Sequence, residues 1–177
     1  MKWLIASDIH GVAQWCAKLT EAFEDEGADR LLLLGDILFN DKTEPDKQAV
    51  ADMLNAMADR IVCVRGNCDG DGDIAMLAFP VEEDYVRIPI GKHAMFATHG
   101  HKYNETYLPP RMDEGDVLIH GHTHVPKTEP HGHYLCLNPG SVSLPLWGSL
   151  RSYMTLEDGV FRWVTLEDGE EYRRYEI

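Results

Sequence analysis

Apolar residues recur along this chain with two different periods. "KWLIASD" (2–8), "RLLLLGD" (30–36) and "IVCVRGN" (61–67) are short, nearly continuous apolar runs of the kind that form strands buried on both faces. After the first run, Val12, Trp15, Cys16, Leu19 and Phe23 fall at helical spacing, and Gly27 closes the stretch. Pro45 opens a second helical stretch, "PDKQAVADMLNAMADR" (45–60), in which Val50, Met53, Leu54 and Met57 share a face. Strand and helix alternate over this half, which predicts parallel pairing through crossover helices.

A short helix is expected near Ile74 to Phe79, after which strands dominate: "YVRIPI" (85–90), "HAMFATHG" (93–100), "DVLIHGH" (116–122) and "YLCLNPGS" (134–141). From Ser152 to Ile177 the pattern alternates around two Asp-Gly pairs, which predicts an antiparallel meander; its repeated "TLEDG" reads as turn chemistry. The stretch 40–48, "NDKTEPDKQ", reads as an exposed loop, and no linker divides the chain, so residues 1–177 are expected to form a single domain. The pattern is that of a mixed α/β protein with a parallel and an antiparallel half.

Composition narrows the functional classes. Hydrophobic residues make up 44% and charged residues 26% of the 177 positions, an ordinary globular balance. No segment is long and apolar enough to span a membrane, and the opening "MKWLIASD" meets a charge too early for a signal peptide, so the cytoplasm is the expected location and no membrane is an expected partner. Cys16, Cys63 and Cys136 lie in apolar runs and are expected to be reduced, buried thiols. Sixteen basic against thirty acidic residues give a net charge of −14, which repels duplex nucleic acid unless positive charge is supplied locally.

Such a local charge is suggested by how five apolar runs end: "LIASDIHG", "LLLLGD", "VCVRGNCD", "AMFATHGH" and "VLIHGHTH". Ligands in open α/β sheets gather beyond the carboxyl ends of strands, so these runs bring Asp8, His10, Asp36, Asn67, His99, His122 and His124 to one edge. Taken singly, Asp8 fits a helix cap and Asp36 a turn; His93, His131 and His133 carry no assigned role. Seven oxygen and nitrogen donors buried together need a compensating charge, and a metal centre supplies one. Mixed imidazole, carboxylate and amide donors suit Mn, Fe, Zn or Co better than Ca, and the absence of matched thiolates argues against a structural zinc. "DGDGD" (69–73) imitates a calcium loop, but Ile74 and Pro80 stand where Gly and Glu are required; it reads as a loop leading into a helix.

The ordered series "DIHG", "GD", "GNCD", "THGH" and "GHTH", with "NPGS" at 138–141, resembles the calcineurin-like metallophosphoesterases, in particular their small bacterial and archaeal phosphodiesterases. The resemblance implies an α/β fold, a four-layer sandwich of two mixed β-sheets flanked by helices. It implies that Asp8, His10 and His124 hold one divalent ion, that Asn67, His99 and His122 hold another, and that Asp36 bridges them. Mn2+ is the first expectation, with Fe, Zn, Co and Ni as alternatives. The implied reaction is hydrolysis of a small phosphodiester by a metal-bridging hydroxide, which makes the chain a metal-dependent phosphoric diester hydrolase.

Cys68 departs from the family pattern, since many members carry His there to assist the transition state or protonate the leaving group. Asp69, the usual partner of that His, and His101, beside the cluster, complete the candidate catalytic set with Asp36 and Cys68. A phosphomonoesterase is the first alternative, although "GDILFN" lacks the arginine that follows this Asp in the family's protein phosphatases. A binding scaffold is the second; members of that kind lose ligands, whereas all seven are present here. Trp147 and Leu150 fit a subunit contact in a homo-oligomer as well as they fit a core.

Overall fold

The structure is a computed structural model that describes residues 1–39, 46–82 and 84–177. Residues 40–45 of the expected loop 40–48, Pro45 among them, lie outside the described residues, and Lys47 and Gln48 are already helical. Elements follow in the order β1 (Trp3–Ala6), α1 (Ala13–Asp25), β2 (Arg30–Leu33), α2 (Lys47–Asn55), β3 (Ile61–Val64), α3 (Asp71–Ile74), β4 (Val81–Glu82), β5 (Tyr85–Ile90), β6 (His93–Thr98), β7 (Asp116–His120), β8 (Lys127–His131), β9 (Tyr134–Asn138), β10 (Ser152–Glu157), β11 (Val160–Thr165) and β12 (Glu171–Glu176).

They build two mixed sheets, a seven-stranded one in the order β12-β11-β10-β1-β2-β3-β4 and a five-stranded one in the order β5-β6-β7-β9-β8. Strands β1 to β4 run parallel, as do β6, β7 and β9, so each sheet presents a row of carboxyl ends at one edge. The C-terminal meander joins through β10, antiparallel to β1.

Alternation along each strand divides the core. Ile5, Leu32 and Val64 of the first sheet meet Met95, Ala97, Val117, Ile119 and Leu137 of the second. The neighbours Leu4, Leu31, Leu33 and Cys63 turn outward to pack under Cys16, Leu19 and Phe23 of α1 and Val50 and Leu54 of α2. The outer face of the second sheet, with Phe96, Leu118 and Cys136, is covered among the described residues by the irregular stretch 101–115 through Leu108 and Met112, without a helix.

Local chemistry explains where elements start and stop. Gly27, at φ 59°, ends α1 in the left-handed region, which costs glycine nothing. Asp46 caps α2 by accepting a hydrogen bond from the Ala49 amide at 3.0 Å, and α2 stops at Asn55, short of the expected Arg60, in a 3-10 turn over Ala58–Arg60. The helix expected near Ile74–Phe79 is instead a single turn, Asp71–Ile74, entered from Gly70. Asp158 and Gly159, both at positive φ, make the two-residue turn between β10 and β11. Strand β8 lacks an apolar pattern and contains Pro130, which is tolerated because β8 is an edge strand.

Trp163 sits fully buried between the sheets and donates from Nε1 to the Asn138 carbonyl at 2.8 Å. Trp163→Ala removes the largest fully buried side chain and a buried hydrogen bond, so a loss of about 3–5 kcal/mol is expected. Chemical denaturation measures it, and a change under 1 kcal/mol would show that the intersheet core does not depend on this ring.

Candidate metal centre

The carboxyl ends of β1, β2, β3, β6 and β7 deliver the seven sequence-predicted donors to one place. One triad joins Asp8, His10 and His124: His124 Nε2 lies 3.2 Å from Asp8 Oδ1, and His10 Nε2 lies 3.7 Å from the same oxygen and 3.3 Å from His124 Nε2. A second group joins Asn67, His99 and His122, with His99 Nε2 3.0 Å from Asn67 Oδ1 and 3.2 Å from His122 Nδ1. Asp36 Oδ2 stands between the groups, 3.7 Å from His10 Nε2 and 3.4 Å from His99 Nε2.

The backbone is bent to achieve this. Eight non-glycine residues among those described have positive φ, and five of them are Asp8, His10, Asp36, His122 and His124. That region costs an L-residue about 1–2 kcal/mol. Asp8 and His10 are therefore brought together by a left-handed turn. A side chain on Gly66 would collide with Asp36, and one on Gly121 with Ser7, so both positions require glycine.

Main-chain carbonyls fix the imidazoles. His10 Nδ1 lies 2.8 Å from the Phe39 carbonyl, His99 Nδ1 2.7 Å from that of Leu34, and His124 Nδ1 2.6 Å from that of Leu144. Each carbonyl can only accept, so each neutral ring carries its hydrogen on Nδ1 and points a bare Nε2 into the cluster. Asp8 Oδ1 is buried among them with no hydrogen-bond partner. Burial opposes charge on the His99 and His124 rings, but the Asp36 and Asp8 carboxylates outweigh it and raise both. With the rings neutral, lone pairs face lone pairs at about 3 Å, which divalent cations satisfy, and the donor set fits such ions.

Asp69 serves the cluster from behind. Its Oδ2 accepts from the Asp36 and Gly66 amides and its Oδ1 from the Ile37 amide, each at 2.8 Å. Both oxygens are occupied by backbone, which places Asp69 as a clamp on the Asp36 turn, away from the reacting face. Burial raises its carboxyl above the ordinary value, opposed by those amides. The Cys68 amide donates to Asp36 Oδ1 at 2.8 Å and leaves Oδ2 for the cluster. Burial favours the neutral form of Asp36, but His99, that amide and His10 outweigh it and hold the carboxyl well below the usual carboxylate range.

The Cys68 sulfur lies within 4.8 Å of ligand atoms of His10 and Asp36, and burial and the Asp36 carboxylate push its thiol up to about 12. His101 is exposed at the rim, its ring centroid 5.3 Å from that of His99 and 6.3 Å from that of His122. Its pKa is lowered by partial burial and by those two rings. Asp8, His10, Asp36 and His99 are buried while Asn67, His101, His122 and Thr123 are exposed, so the cluster has a closed floor and an open side.

Residues 1–158 match the model of the calcineurin-like phosphoesterase superfamily domain. The chain belongs to this superfamily. Within it, the chain is 38% identical over 173 residues to phosphodiesterase YfcE of Escherichia coli K12, covering 95% of this chain and 94% of that one. It is 28% identical to phosphodiesterase MJ0936 of Methanocaldococcus jannaschii, over 79% of this chain and 83% of the other. The solved structure of the E. coli phosphoesterase YfcE superposes with a TM-score of 0.93 at 35% identity over the full length of both chains.

Two supports were not apparent from the sequence. Ser141 and Ser143 donate from their hydroxyls to the Asp8 carbonyl at 3.0 and 3.1 Å, which holds the left-handed turn at Asp8; the "NPGS" motif was the only signal of it. Asn138 donates from Nδ2 to the Gly121 carbonyl at 2.8 Å and to Thr123 Oγ1 at 3.1 Å, bracing the loop of His122 and His124.

The clamp yields a test. Asp69→Asn places an amide NH2 against backbone N–H groups, and the Asp36 turn should relax. Divalent-metal affinity is expected to fall roughly 10–100-fold in a calorimetric titration; unchanged affinity would mean that Asp36 is positioned without Asp69.

Proposed function

We propose that this chain is a metal-dependent phosphodiesterase acting on small diesters through two divalent cations, manganese first among them. In this reading Asp8, His10 and His124 hold one ion, Asn67, His99 and His122 the other, and Asp36 serves both. The observation that carries it is Asp36 Oδ2, among the described residues the one carboxylate oxygen within 3.7 Å of His10 Nε2 and 3.4 Å of His99 Nε2. The names of YfcE and MJ0936 as phosphodiesterases support the diester over the monoester. The bare nitrogens and the orphaned Asp8 oxygen speak against a scaffold that has abandoned metal.

Such ions, when bound, supply Lewis acidity that activates water and offsets phosphoryl charge. The chain's own residues hold the geometry. The Cys68 amide and Asp69 fix both ends of the Asp36 turn, so Oδ2 keeps one direction. In this reading His101, on the exposed rim, donates to a phosphoryl oxygen. Cys68 takes the position of the family's histidine, and a thiol is a weaker acid and a poorer hydrogen-bond donor than an imidazolium. The whole chain acts as one domain, since both sheets contribute to one intersheet core. Free cysteines at 16, 63, 68 and 136 support a reducing, cytoplasmic setting.

Two measurements test the reading. Chelation should abolish hydrolysis of an aryl diester and added Mn2+ should restore it, with the paired aryl monoester turned over more slowly. Asp36→Asn should lower kcat/KM on the order of 10²–10³-fold or more, and undiminished turnover by that variant would refute the assignment. Because Cys68 offers no strong acid, kcat/KM should climb steeply as the leaving-group pKa falls across a series of aryl diesters. A flat series would show that another group protonates the departing oxygen.

A further inference from the structure

A fourth imidazole among the described residues has its Nδ1 on a main-chain carbonyl. His120, at the end of β7, places Nδ1 3.0 Å from the Gly121 carbonyl and is 1% exposed. The pleat turns it to the outer face of the second sheet, away from His122 and His124. As in the metal centre, the carbonyl accepts the Nδ1 hydrogen and leaves Nε2 bare. That Nε2 is buried and has no neighbour to satisfy it but Glu105 Oε2, 3.1 Å away in poor hydrogen-bond geometry. Cys136 stands on the same face of the neighbouring strand β9, its sulfur fully buried. The ligand atoms of Glu105, His120 and Cys136 all lie within 4.8 Å of one another.

We propose that Glu105, His120 and Cys136 form a separate divalent-cation site, suited to a borderline-soft ion such as zinc, bound through Glu105 Oε2, His120 Nε2 and the Cys136 thiolate. Nitrogen, oxygen and sulfur at three corners, with water at the fourth, is a donor set zinc accepts. Lys127 ion-pairs with Glu105 Oε1, which leaves Oε2 for the ion and fixes the plane of the carboxylate. The Cys136 thiol is protonated in the empty site, so as the sulfur–metal bond forms the S–H bond ionises and its proton passes to solvent. An ion here ties the stretch 101–115, which carries His101 and Glu105, to β7 and β9, which carry the supports of the metal centre.

Cobalt distinguishes this site from the metal centre, because a Co2+–thiolate bond gives an intense near-ultraviolet charge-transfer band and nitrogen or oxygen ligands do not. The full chain bearing Cys68→Ala, which removes the thiol beside the metal centre, is stripped with chelator and loaded with Co2+. The band should appear, and Cys136→Ser in the same background should lose it together with one equivalent of bound metal by elemental analysis. Glu105→Gln, on a half-exposed side chain, should weaken Co2+ binding at this band at least several-fold and covers the case in which the Cys136 variant does not fold. The band would persist even if the seven-residue centre bound nothing, so the two readings fail separately. Absence of the band in the Cys68→Ala protein at saturating Co2+ would overturn the proposal and leave His120, Glu105 and Lys127 as a part-buried ion-pair network.

Discussion

Imidazoles, carboxylates and an amide crowded within hydrogen-bond distance of one another govern this molecule. His10 and His124 bring ring nitrogens to 3.3 Å, and His99 lies 3.0 Å from the Asn67 oxygen, with two buried carboxylates alongside. In a low-dielectric interior so many polar donors need compensating charge, which the pull of the Asp8 and Asp36 carboxylates on the His99 and His124 rings supplies in part and which divalent cations can supply in full. The rest of the fold must also offset five left-handed backbones among the same residues.

The offset comes from elements that the sheets bring beside the cluster. Parallel strands place consecutive carboxyl ends side by side, so the turns after β1, β2 and β3 interlock: the Asp8 amide bonds the Gly35 carbonyl at 3.1 Å and the His10 amide bonds that of Asp36 at 2.9 Å. Asp69 pulls the turns after β2 and β3 together through three amides, and Ser141 and Ser143 hold Asp8 from the end of β9. Asn138 links this network to the core, since its side chain braces the Gly121 loop while its carbonyl accepts from Trp163. A buried ring between the sheets is thereby coupled to the position of His122 and His124.

Much of this was legible in the residues, and what was not follows a pattern. Buried parallel strands announce themselves as apolar runs, and donors at their ends are few enough to stand out, so the two sheets' central strands and all seven clustered residues could be read off. Main-chain partners carry no residue signature, which hid the carbonyls of Leu34, Phe39 and Leu144. Asp69 looked catalytic because composition cannot distinguish a carboxylate aimed at a substrate from one filled by amides. His120 shares its strand end with His122 and His124 in sequence, but the backbone turns after it, and the pleat sends it to the face of Leu118. Strand β8 and the cover of residues 101–115 lack periodicity because an edge strand and an irregular segment have no need of it. Trp147, at 92% exposure, and Leu150, at 46%, are surface residues, so of the two fits their sequence allowed the core is excluded.

The net charge of −14 shapes what the site can accept. An anionic substrate is repelled at long range and attracted only within about a Debye length of bound cations, roughly 8–10 Å at ordinary ionic strength. A long polyanion would place most of its charge outside that radius, against acidic surface; a small diester places its single charge inside it. The open side formed by Asn67, His101, His122 and Thr123 admits such a molecule without a covering element among the described residues. On the proposed two-cation reading, selectivity for size would therefore arise from the reach of the cations' field against an acidic background, without an enclosing pocket.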